Sequence, residues 1–420
     1  MNEQYRYSSL LKWSVFILAA VYLLNCFTPL RLHVDMLRYF AIKDCIELGC
    51  PADSVAAKDY LPYGYTALLL ALSKIGLLKS FVLVLINCIY LGVSLYLIKK
   101  MIPATVPPFL FILLVLLNWT AIKFITHPLS EMQYLFFSVG SLYCFYLFAE
   151  SRKFLYLLAA FVLGGLAFVT RTVGIALAGA LVAGLLVLYK KELLVLVRKN
   201  KLLAGGLVLI LAGIVVFSKQ LGLNHYTGVF NKQFVEGVTF SKILKWHFTE
   251  WSEIVFNTSL VKLLPFLSPG VAGIIFLLAG ILFYAMFAWL LFLRKNDIPL
   301  IIKLYLFFYS IVMFTWPFYD PRFWVPVLPF IAVVAARWVV TAGKPVRRVL
   351  YLYFVVYCLL GIVSAGYLTY TSLNRKVFAR TQANGVYRNE YETFFYGSPQ
   401  SDTARKIDPV VLDVIKRYDR

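Results

Sequence analysis

Three observations predict an all-α membrane protein. Of its 420 residues, 61% are hydrophobic and 15% charged, against roughly a quarter charged in a water-soluble domain. Apolar runs of about twenty residues, the length that crosses a hydrocarbon core of ~30 Å, recur from Leu10 onward. The charges gather in short basic clusters between those runs, as they do in cytoplasmic loops.

In chain order the apolar runs predict about eleven transmembrane helices: 11–30, 80–98, 104–122, 129–148, 154–170, 172–189, 202–218, 270–293, 299–316, 322–340 and 348–370. With the N-terminus cytoplasmic, the inside loops collect Lys99 and Lys100, Arg152 and Lys153, the run Lys190 to Lys201, Arg294 and Lys295, and Lys344 with Arg347 and Arg348. One further run, 62–78, opens with Leu61-Pro62-Tyr63-Gly64-Tyr65 and carries Ser73 and Lys74. Counting it as a span would place every later basic cluster outside, so it is predicted to lie along the outer interface. The expected organisation is a transmembrane module, 1–370, with extracytoplasmic loops 31–79 and 219–269 and interfacial helices in the first of them. A short extracytoplasmic tail, 371–420, follows. The expected location is integral and multi-pass, in a bacterial inner membrane, with membrane lipids as partners.

The net charge of +21 does not predict a nucleic-acid partner, because no basic patch is interleaved with aromatics as in single-strand binders. Cys26, Cys88, Cys144 and Cys358 fall in apolar runs and read as small hydrophobes. Cys45 and Cys50 share the first loop; they bridge if that loop faces an oxidising compartment and stay free thiols if it does not.

Ionisable groups at the membrane boundary mark sites, and here they fall on the outer side of the expected topology. Asp35 follows the first apolar run. Ser130 and Glu131 open the 129–148 run. Arg171 sits in Thr170-Arg171-Thr172-Val173-Gly174, and Asp320 and Arg322 in Tyr319-Asp320-Pro321-Arg322-Phe323-Trp324. Together they suit transfer of a sugar from a lipid phosphate. A carboxylate takes the acceptor hydroxyl's proton, and guanidinium groups stabilise the departing phosphate. Asp35 is the expected base. Arg171 and Arg322 are the expected phosphate clamps, assisted by Arg38 or Lys58, and Glu131 orients a donor hydroxyl or a neighbouring cation. Rival expectations are a polysaccharide ligase or polymerase using a polyprenyl diphosphate, and a transporter or lipid flippase.

These segments resemble the GT-C superfamily of polyprenyl-phosphate-sugar glycosyltransferases, in particular its protein O-mannosyltransferase and lipid A aminoarabinose transferase branch. Asp35-Met36-Leu37-Arg38-Tyr39 is similar to that branch's D-E-x-x-Y pattern. Pro62-Tyr63-Gly64-Tyr65 resembles the start of its interfacial helix, with Tyr63 and Tyr65 as substrate-orienting candidates alongside Asp320. Ser130-Glu131 stands where a later acidic residue is found. Thr170-Arg171-Thr172-Val173-Gly174 resembles T-[RK]-x-x-G, and Arg322-Phe323-Trp324-Val325-Pro326-Val327-Leu328-Pro329 resembles R-[YF]-x-x-P-x-x-P. The sequence departs from the pattern at Met36, where a second acidic residue is usual, and Lys58 stands four residues before Pro62 rather than directly before it. The resemblance implies a GT-C-like fold and an inverting transfer from a polyprenyl-phosphate sugar to a hydroxyl acceptor on a lipid, glycan or protein. It implies no cofactor, and without a D-x-D at Asp35 no divalent metal.

Overall fold

The computed structural model describes residues 3–190, 223–381, 386–402 and 404–419, and every regular element among them is helical. The first half holds α1 (Glu3–Leu24), α2 (Val34–Leu48), α3 (Tyr63–Lys74), α4 (Ser80–Met101), α5 (Pro108–Leu116), α6 (Trp119–Ile125), α7 (Glu131–Ser151), α8 (Phe154–Thr170) and α9 (Gly174–Leu188). The second half holds α10 (Leu223–Val235), α11 (Phe240–Val255), α12 (Pro269–Ala288), α13 (Leu300–Thr315), α14 (Leu328–Thr341) and α15 (Lys344–Leu373). Three short helices close the chain: α16 (Arg375–Thr381), α17 (Arg388–Tyr396) and α18 (Pro409–Tyr418).

The expected eleven transmembrane helices are not found. Among the described residues, five helices are long and apolar enough to cross a membrane: Ser9–Phe27, Ser80–Met101, Glu131–Ser151, Pro269–Leu293 and Lys344–Leu373. A sixth would have to be assembled from α5 and α6, which meet at 64°. At four other predicted spans stand α8, α9, α13 and α14, with 17, 15, 16 and 14 residues. At ~1.5 Å per residue they extend about 21–26 Å, short of a hydrocarbon core of ~30 Å. The predicted span 202–218 lies outside the described residues. The GT-C-like, transmembrane architecture and the multi-pass inner-membrane location depended on that count and are overturned with it.

The bend between α5 and α6 shows how hydropathy overcounted. Asn118 caps α6 through Oδ1, which accepts from the Thr120 N–H at 3.0 Å. Its Nδ2 donates to the Ile254 carbonyl at 3.0 Å and to the Tyr357 hydroxyl at 2.8 Å. Asn257 donates to the Leu117 and Tyr357 carbonyls, both at 2.8 Å, and accepts from the Trp119 N–H at 2.7 Å. Two buried amides thus satisfy the backbone groups freed where the helix breaks, as buried polar groups require. An averaged apolar run conceals this polar junction.

The chain's end folds back onto the start of α2. The Asp419 carboxylate accepts from the Leu30 N–H at 2.8 Å, and the Tyr391 hydroxyl accepts from the Leu32 N–H at 2.9 Å while donating to the Leu30 carbonyl. Arg31 is buried, 4.9 Å above the Phe378 ring, and donates to Thr28 at 3.0 Å and Ser372 at 3.1 Å. Residues 30–32 lead directly into α2, so these contacts hold the turn that carries Asp35. Cys45 of α2 is joined by a disulfide to Cys50, just past the helix end.

Backbones approach closely where α11 crosses α12. A Cβ at Gly280 would overlap the Phe248 carbonyl and stand 3.0 Å from Ser252 Oγ. Backbone cannot yield as a flexible side chain does, and overpacking of this kind costs about 1–3 kcal/mol. Gly280→Ala is therefore expected to lower the thermal unfolding midpoint, whereas Gly92→Ala, with open space around it, leaves the midpoint near that of the unaltered protein.

Candidate active site

A cavity of about 660 Å³ opens where the first turn of α2, the Tyr60–Pro62 approach to α3, the start of α7, the turn 171–175 and the segment 309–323 converge, with Phe230 and Asn231 of α10 at its edge. Each wall has a local cause. His33 caps α2: its Nδ1 accepts from the Asp35 N–H at 3.2 Å. Asp35 thus lies in the first helical turn, where the helix dipole favours a negative charge. Gly64 lets α3 press against the end of α8, because a Cβ there would stand 2.7 Å from the Val169 carbonyl and 2.8 Å from the Thr170 backbone. That contact abuts the turn presenting Arg171. Asp320 caps the short 3-10 turn Pro321–Trp324 by accepting from the Arg322 N–H at 3.0 Å.

Arg322 is the hub. Its guanidinium hydrogen-bonds the Asp35 carboxylate. Its Nε lies 2.7 Å from Asp320 Oδ2, an ion-pair contact off the N–H axis, and its Nη1 lies 3.7 Å from Glu131 Oε1 and 3.4 Å from His33 Nδ1. Arg171 donates to the same Glu131 oxygen at 2.5 Å and to Ser130 Oγ at 3.2 Å. Both guanidinium groups lie over the Phe323 ring, at 5.0 Å for Arg322 and 5.7 Å for Arg171. The second Glu131 oxygen, Oε2, is buried and has no hydrogen-bond partner among the described residues.

Burial pushes the Asp35 carboxyl up, but the Arg322 charge and hydrogen bond, with His33 and Arg38, outweigh it and hold it below the usual carboxylate range. Burial and then Arg322 push His33 down, so its ring is neutral near pH 7 and its Nδ1 is free to accept both contacts. Burial works against the Arg171 charge, yet Glu131 more than restores it. The site therefore holds a stable carboxylate tied to a stable cation. Drawing Arg322 elsewhere would raise the proton affinity of Asp35.

The other residues singled out in the sequence divide in two. Arg38 and Asp320 line the cavity. Arg38 reaches Asp35 at 3.2 Å, grips Asp59 through two hydrogen bonds of 2.8 Å and stacks 4.5 Å from the Tyr60 ring. Lys58 and Tyr63 are exposed and are not part of the lining, and Tyr65 is buried behind it, edge-on to Tyr39 at 5.1 Å. Tyr39 lines the cavity and donates to Ser130 Oγ at 3.1 Å. His33, Asp59 and Phe323 also serve the site, although the sequence alone did not name them as site residues. His33 and Phe323 stand within two residues of Asp35 and Arg322, and Phe323 fills the aromatic position of the R-[YF] pattern; these signals could have found them. Nothing local marks Asp59 as the partner of Arg38.

Comparison of the chain with family models, with curated proteins and with solved structures gives no match.

The Asp35–Arg322 pairing has a measurable consequence. A carboxyl held low when folded adds stability above its unfolded value of ~3.9, and that stability disappears as pH falls through the folded value. In Arg322→Gln the main lowering influence is gone and burial remains. The Asp35 carboxyl is then expected to titrate at higher pH than in the unaltered protein, as read by carboxyl-carbon NMR; an unmoved titration would separate Arg322 from Asp35.

Proposed function

We propose that this cavity transfers a sugar from a polyprenyl-phosphate donor to a hydroxyl acceptor, with inversion at the anomeric carbon. The observation that carries the reading is the meeting of Asp35, Arg171 and Arg322 in one cavity that also has an apolar wall of Val173, Ile175, Val312 and Met313. A sugar phosphate on an isoprenoid chain needs those surfaces together: guanidinium donors for phosphate, apolar lining for the chain and a carboxylate for the incoming hydroxyl.

The charges support the following course for the reaction. Donor phosphate entering beside Arg171 competes with Asp35 for Arg322. As Arg322 turns to the phosphate, Asp35 loses its strongest counter-charge while staying half-buried, and its proton affinity rises. The acceptor oxygen then bonds to the anomeric carbon, its proton passes to Asp35, and the bond from that carbon to the phosphate oxygen breaks. The electron pair leaves with the polyprenyl phosphate, whose growing charge is met by the two guanidinium groups. Glu131, buried at the cavity wall, orients the Arg171 guanidinium. One carboxylate acts as base and none as nucleophile, which is the arrangement of a single displacement.

A transfer assay with the full-length protein and polyprenyl-phosphate sugars tests this. Asp35→Asn is expected to lower kcat by about 10²–10⁴-fold, the usual weight of general-base catalysis, while donor binding persists. Arg171→Gln is expected to weaken donor binding about tenfold or more, the loss of a charge-assisted hydrogen bond. Near-normal turnover by folded Asp35→Asn, or no product from any polyprenyl-phosphate sugar, would remove the proposal.

A further inference from the structure

Behind the cavity, α11 carries two groups that the transfer step does not use. His247 and Glu250 lie one turn apart and are both 0% exposed. His247 Nε2 is 2.7 Å from the Trp316 carbonyl oxygen, and Nδ1 is 2.7 Å from Glu250 Oε2. A carbonyl only accepts, so Nε2 bears a hydrogen. The Nδ1 contact holds another, shared between ring and carboxyl. Glu250 also accepts from the Trp324 indole N–H at 2.7 Å and from the Asp320 backbone N–H at 2.6 Å. The pair therefore grips the segment 316–324 at Trp316, Asp320 and Trp324, and Arg322 lies between the last two.

That segment has little to hold it from within. It leaves α13 at Thr315 and forms only the short turn Pro321–Trp324 before α14 begins at Leu328. Trp324 is 1% exposed and packs edge-on to Trp251 at 5.4 Å, so its indole N–H cannot turn to water if Glu250 withdraws. Buried polar groups that lose one partner leave the others unsatisfied, and the adjustment available here is movement of the loop.

We infer that the His247–Glu250 pair is a positioning device that fixes the 316–324 segment and thereby sets Arg322 against Asp35 and the donor phosphate. The phosphate part rests on the reading of the cavity given above; the Arg322–Asp35 part does not.

Glu250→Gln in the full-length protein keeps the shape. Its amide oxygen can still accept from Asp320, but its amide nitrogen cannot accept from Trp324. Two measurements need no donor. Amide hydrogen exchange across 316–324 is expected to quicken about tenfold, with α4 unchanged. The Asp35 carboxyl is expected to titrate at higher pH than in the unaltered protein, because Arg322 no longer sits squarely on it. With polyprenyl-phosphate sugar as substrate, donor KM is expected to rise about tenfold with a smaller fall in kcat. Trp324→Phe removes the indole N–H together with the five-membered part of the ring and is expected to shift the same readouts in the same direction; it decides the matter if Glu250→Gln does not fold. Unchanged exchange overturns the inference. Faster exchange with an unmoved Asp35 titration overturns it as well, since the pair would then hold the loop without setting Arg322. Absence of transfer by the unaltered protein counts against the glycosyltransferase reading alone.

Discussion

Asp35 and Arg322 lie 287 positions apart along the chain, yet they share a hydrogen-bonded ion pair. Few contacts constrain the architecture as much. For them to meet, the first turn of α2 must face the segment after α13, with the start of α7 beside both. Three supports meet that demand. The tail holds residues 30–32 through Tyr391 and Asp419, Gly64 brings α3 against the end of α8, and Glu250 holds the Asp320 N–H from behind. None of these supports is near its partner in sequence.

The cavity is not a simple cationic pocket. Asp35, Glu131 and Asp320 line it together with Arg38, Arg171 and Arg322, three carboxylates to three guanidinium groups, and Asp59 holds Arg38 from outside the lining. Half-buried ion pairs of this kind persist because removing one partner strands the other charge. An arriving phosphate must therefore take a guanidinium from a carboxylate that already has it. Arg322 is shared among three carboxylates, whereas Arg171 is tied to Glu131 alone among the ion pairs of the described residues. The same exchange that admits an anion would free Asp35, so binding and base activation are coupled by one side chain.

The helical nature of the chain was legible because long apolar runs bounded by Lys, Arg and Pro admit little else. The number of membrane-crossing helices was not. Hydropathy adds residues along a line, and it cannot see that Asn118 and Asn257 break one run or that Pro321 to Pro329 spend part of another in a turn. Charge alternation between loops reinforced the count, because it was read with the same spans.

The residues of the candidate site show the same division. The sequence alone marked Asp35, Glu131, Arg171, Asp320 and Arg322, since a charged side chain beside an apolar run has few reasons to be there. Only the tertiary structure decided that these groups share one cavity, that Lys58 and Tyr63 stand outside it, and that Asp59, His33 and the His247–Glu250 pair belong to its support. The physical reason is that ion pairs and hydrogen bonds act over a few ångströms. Distance through space, not separation along the chain, sets them, and packing of the helices determines that distance.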